Sequence, residues 1–115
     1  METNNTRRLG GPRRAPLAEG LADLSPDQQR CALRLIMWRV GRRLTSTEAA
    51  DMHGVVITTY SAWERGSIPD RGRIESMEAS GLSHVFAVWA LGPADDDPTI
   101  EQAQAALDAW RGHDA

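Results

Sequence analysis

Apolar positions along this chain recur at spacings of three and four between polar breaks, the period of helices that bury one face. Ser25-Pro26-Asp27-Gln28 opens the first long pattern. Serine is the N-cap, proline takes the first helical position and glutamine completes a capping box, predicting a helix from Pro26 to about Arg43. Thr45 and Glu48 form a second capping box. Ala49, Ala50 and Met52 then give a short helix with two small residues where another helix can cross closely, and Gly54, which tolerates φ > 0, turns the chain. Val56, Tyr60 and Trp63 mark one face of the next helix, stopped by Gly66 and Pro69. A loop over 67–72 leads to a helix at about Arg73 to Ser80, ended by Gly81. Another spans about His84 to Leu91, with Val85, Val88 and Trp89 inward and Gly92-Pro93 as its stop.

The chain ends differently from how it starts. Asp95-Asp96-Asp97 reads as an acidic linker whose last member caps a final helix, about Pro98 to Arg111, with the three acids serving the helix dipole and solvation rather than a cation. Ile100, Ala103, Leu107 and Trp110 form a narrow seam on that helix. About four turns cannot stand alone, so the seam docks on its own domain or pairs with a second copy, the reading preferred here. Residues 1–24 hold Gly10, Gly11, Pro12, Pro16 and Gly20 among Arg7, Arg8, Arg13 and Arg14. They read as a disordered arm that either reaches DNA or merely solubilises.

Composition narrows the class. At 115 residues and 41% hydrophobic, the chain makes one small domain with tails, and its four tryptophans supply much of the buried area. No apolar run approaches the length of a membrane span and no signal peptide is read, which predicts a soluble cytoplasmic protein. The single Cys31 excludes an intramolecular disulfide; His53, His84 and His113 are too scattered for ligation, so no metal or other cofactor is expected. Net charge is −3, but unevenly spread. Nine arginines face four acids through Arg43, giving +5, and four face twelve from Leu44 onward, giving −8. No catalytic triad, paired-carboxylate pocket or phosphate loop is apparent, which argues against an enzyme.

Two short helices joined at a glycine make the geometry that places a helix in the DNA major groove. Ala49, Ala50, Gly54, Trp63, Glu64 and Gly66 together resemble the phage repressor and Cro-type helix-turn-helix family over about residues 31–92. The resemblance implies an all-α, five-helix repressor-like domain at 25–92, preceded by the basic arm 1–24 and followed by the linker 93–97 and the extra helix 98–115. It implies that Cys31, Leu35, Trp38 and Arg39 face the core while Arg30, Arg34, Arg42 and Arg43 lie outside. It also implies a partly buried Arg39–Glu64 ion pair.

Carried over position by position, the resemblance implies that the helix over about 56–65 enters the groove. Ser46 would meet a phosphate, Thr58 and Ser61 would bond base edges, and Ile57 and Ala62 would touch thymine methyls beside Val56. Arg71 and Arg73 would clamp phosphates. Val56 replaces the family's usual polar cap and Ile57 its usual polar base reader. The function implied is a transcriptional regulator of double-stranded DNA, nucleoid-associated, homodimeric on a palindromic site, with RNA polymerase or another regulator as a further partner. The rival reading is a protein-interaction adaptor that kept the scaffold and lost specific DNA binding.

Overall fold

The computed structural model describes residues 16–114, with side chains through Trp110. Among the described residues are seven helices and no strand: α1 (Leu17–Leu21), α2 (Pro26–Gly41), α3 (Ser46–Met52), α4 (Ile57–Glu64), α5 (Arg71–Ala79), α6 (Val85–Val88) and α7 (Ile100–Asp114). None is long and apolar enough to cross a membrane.

The fold is organised around α2, which starts at the capping box: Ser25 Oγ accepts from the Gln28 N–H at 3.2 Å, and Gln28 Oε1 accepts from the Ser25 N–H at 3.0 Å. This helix is apolar on two sides. Cys31 and Leu35 pack into a cluster with Ala49, Ala50, Tyr60, Trp63 and Trp89. Ala32, Leu33 and Ile36 pack into a second cluster with Leu21, Ala103 and Leu107. A helix flanked by core on both sides is a central strut rather than a surface element. The second stripe was visible as Leu33, Ile36, Met37 and Val40 at helical spacing, yet the expected core residues of this helix were confined to the first.

Six expectations need correction. The arm predicted over 1–24 is ordered from Pro16 onward: α1 forms, Leu21 is only 2% exposed, and the Leu17 N–H donates to Gln104 Oε1 of α7 at 2.8 Å. Leucines at 17, 21 and 24 supply the apolar face that the arm's polar composition obscured. The arginines at 7, 8, 13 and 14 lie outside the described residues. The last helix starts at Ile100, not Pro98, because Thr99 and Gln102 form its capping box at 3.0 and 2.9 Å.

Asp97 is occupied elsewhere, and so is Arg34, which was expected to lie outside. Arg34 Nε and Nη2 donate to Asp97 Oδ1 and Oδ2 at 2.7 and 3.2 Å. Its guanidinium also donates to the carbonyls of Ala90 at 2.6 Å and Gly92 at 2.8 Å. A bidentate pair with carbonyls around it satisfies all the buried donors of the fork. The pairing raises the Arg34 pKa and lowers that of Asp97. Arg34 thus ties the 90–97 connection to α2. The helix expected over 84–91 is shortened to α6, Val85–Val88, and the one expected from Arg73 begins at Arg71, capped by Asp70.

The apolar seam of α7 is used within the chain. Ala103 and Leu107 are buried against α2 and α1, with Ile100 packed on the same cluster. The segment 98–115 is therefore part of the same packed unit as α2 through its described residues.

Candidate nucleic-acid interface

The α3–α4 unit is built by local chemistry. Thr45 Oγ1 accepts from the Glu48 N–H at 3.1 Å, and Glu48 Oε1 from the Thr45 N–H at 2.8 Å, starting α3. Ala49 and Ala50 are fully buried and let α4 pack closely. The turn is closed by Gly54 N–H donating to the Asp51 carbonyl and Val55 N–H to the Ala50 carbonyl, both at 3.1 Å. That reversal needs the left-handed conformation Gly54 adopts at φ +70°.

Tyr60 and Trp63 turn inward from α4, and its other side carries the more exposed residues. Val56 is 66% exposed and Ile57 40% exposed; Thr58 is also exposed, while Ser61 and Ala62 are half-buried. Ile57, Ser61 and Arg65 form one wall of an open cleft of about 530 Å³, whose opposite wall includes Pro16, Leu17 and Leu21. Ser46 also lines it. Only Val56, Thr58 and Ala62 of the expected groove-facing set stand clear of this cleft, so α1 borders the face that was expected to be fully open.

Glu64 is the anchor beneath. Arg39 Nε donates to Glu64 Oε2 at 2.6 Å and Arg39 Nη2 to Oε1 at 3.2 Å, the pair implied by the resemblance. Tyr60 Oη donates to the same Oε2 at 2.7 Å, and Arg39 Nη1 to the Leu44 carbonyl at 3.1 Å. Burial alone would lower the Arg39 pKa, but the Glu64 carboxylate outweighs it and the value is raised. Burial, followed by Glu64, pushes the Tyr60 phenol up. The anchor joins the end of α4 to α2 at one angle.

Arg71 is exposed and makes two weak contacts of its own. Its Nε reaches Glu75 Oε2 at 3.3 Å and its guanidinium lies over the Phe86 ring, 5.6 Å from the centroid. Both side chains of the ion pair are mostly exposed, so the pairing competes only weakly with another anion. Arg73 is exposed, and its backbone N–H serves the Asp70 cap at 2.8 Å.

Sequence reasoning missed one cluster. His53 and His84, expected to be too scattered for ligation, meet with Nε2 to Nε2 at 3.0 Å. His53 Nδ1 donates to the Ala49 carbonyl at 2.7 Å, which leaves its Nε2 as the acceptor of the His84 Nε2–H. His84 stacks on Trp38 with centroids 4.0 Å apart, and Trp63 and Trp89 meet edge to face at 5.2 Å. Burial, partly offset by the Ala49 bond, lowers the His53 pKa; burial and then His53 bring His84 down to about 4. Two residues 31 apart carry no local signal of contact. Among the described residues no group of three or more acids, histidines or cysteines is arranged to hold a metal ion.

No family model matches this chain, and no curated protein or solved structure does either.

Proposed function

We propose that this protein is a transcriptional regulator that binds double-stranded DNA sequence-specifically, with α3 and α4 acting as a repressor-type helix-turn-helix and α4 entering the major groove. The observation that carries the reading is the outer side of α4. No charged residue occurs from Gly54 through Trp63, the exposed side chains are small or apolar, and the helix is held at its far end by Arg39 and Glu64. An acid-free face avoids repulsion from the phosphates, and a fixed angle lets the helix enter the groove in one register. Exposed Arg65, Arg71 and Arg73 follow it and can meet phosphates.

The nucleoid location and the homodimer on a palindromic site belong to the same proposal. Because the α7 seam is filled by α2 and α1, subunit pairing would use another surface. A polymerase or regulator contact would fall on the acidic C-terminal tail.

The adaptor reading has one observation in its favour: Phe86 and Leu91 are exposed apolar side chains outside α4. Selection from a random duplex pool, followed by titration of the enriched site at two salt concentrations, separates the readings. Enrichment of a palindrome whose affinity drops steeply with salt is the expected result, because neutralised phosphates release counterions. A folded protein that enriches nothing would reject DNA reading in favour of the adaptor.

A further inference from the structure

We propose that the open cleft between α2 and the connection from α6 to α7 is a small-molecule site for hydrophobic organic cations, with Asp96 as the counter-charge. The inference does not depend on the DNA reading.

Residues 85–94, Val-Phe-Ala-Val-Trp-Ala-Leu-Gly-Pro-Ala, carry no charged side chain, and Asp95-Asp96-Asp97 follows at once. Folded against α2, this stretch leaves a cleft of about 740 Å³. Met37, Trp38, Val88, Leu91, Pro93 and Pro98 supply its apolar walls. Volume and lining are those of a site for a drug-sized ligand. Leu91 is 71% exposed, so the cleft leaves a large apolar side chain in water.

The walls are fixed by bonds within the chain. Arg34 holds the Ala90 and Gly92 carbonyls together with Asp97. The Gly92 N–H donates to Asp27 Oδ1 at 2.9 Å, and the Ala94 N–H donates to Asp97 Oδ2 at 2.8 Å. A cleft formed in advance spares an entering ligand the cost of ordering its walls.

Charge selects the class of ligand. Three charged side chains line the cleft: Arg34, Asp96 and Asp97. Arg34 and Asp97 neutralise one another at 2.7 Å, whereas Asp96 is exposed and makes no ion pair among the described residues. His84 also lines the cleft, and burial followed by His53 brings its pKa down to about 4, so it is uncharged at neutral pH. Arg42 lies over the Trp38 ring at 5.4 Å and is not part of the walls. An anion would therefore meet an unpaired carboxylate and no unpaired cation. A cation with an apolar body satisfies both the walls and Asp96.

Tetraphenylphosphonium and tetraphenylborate share a shape and differ in the sign of their charge. Calorimetric titration of the full chain with each separates charge from shape. The phosphonium is expected to bind about tenfold more tightly than the borate. Asp96→Asn breaks no bond within the fold and should weaken phosphonium binding about threefold to fivefold, the factor for one partly screened ion pair. Asp51→Asn removes an exposed acid of α3, outside the cleft, and should leave that affinity unchanged. Ala87→Trp adds bulk at an exposed wall position and should block binding. No phosphonium binding, equal affinity for the two ions, or an Asp96→Asn affinity no lower than that of Asp51→Asn would each overturn the inference. A dimer in sedimentation that Leu91→Asp splits, with the phosphonium unbound, would instead assign the cleft to a second copy of the chain.

Discussion

Arg39 shows how one side chain sets the presentation of a whole helix. It is buried, it holds both oxygens of Glu64, and it also satisfies the Leu44 carbonyl in the connection from α2 to α3. Arg39→Ala leaves a mostly buried carboxylate with only Tyr60 as a partner. Stability is expected to fall on the order of 3 kcal/mol, visible as a lower melting temperature; an unchanged melt would mean that Glu64 relaxes to water without cost. The histidine pair acts at the same scale. Both pKa values are lowered in the fold, so its contribution is complete above the unfolded value of about 6.5. As pH falls below that, the unfolded chain takes up protons that the folded one refuses, and stability drains away until His84 titrates near 4. Thermal melts from pH 7 to pH 4.5 should show a loss on the order of 2 kcal/mol. His84→Gln should flatten most of that slope, whereas a wild-type profile already flat over this window would contradict the buried pairing.

At the scale of elements, the turns decide more than the helices do. Gly66 follows α4 at φ +110°, and a Cβ there would sit 2.4 Å from Leu24 Cδ1. Gly66→Ala therefore combines backbone strain with a clash against the segment that follows α1, costing about 2 kcal/mol or more. Gly54→Ala meets open space and bears only the φ +70° penalty, about 1 kcal/mol. Urea denaturation of the two variants should rank them in that order, and the reverse order would mean that Leu24 moves aside freely. The capping boxes of α2 and α3 were legible in sequence because both partners lie within three residues. Asp97 was misassigned because a cap competes with a bidentate arginine 63 residues away, and that arginine was out of local view.

At the scale of the molecule, α7 and α1 complete a second core on the far side of α2. Removing residues 98–115 would expose Leu33 and Ile36 and discard the burial of Leu107, a loss of about 3 kcal/mol or more in chemical denaturation. The oligomeric state in sedimentation should not change on that account. A truncation that keeps full stability and converts a dimer to a monomer would instead put the seam between subunits. What the chain determined by itself was local: helix periods, caps, glycine turns and the uncharged face of α4, each written in residues a few positions apart. The resemblance added the pairing of Arg39 with Glu64 across 25 residues. Tertiary packing alone decided the rest. It folded the end of the presumed arm into α1, turned Arg34 inward, joined His53 to His84, and filled the α7 seam from within. Each of these joins surfaces distant in sequence, where the free energy comes from shared burial that no local pattern records.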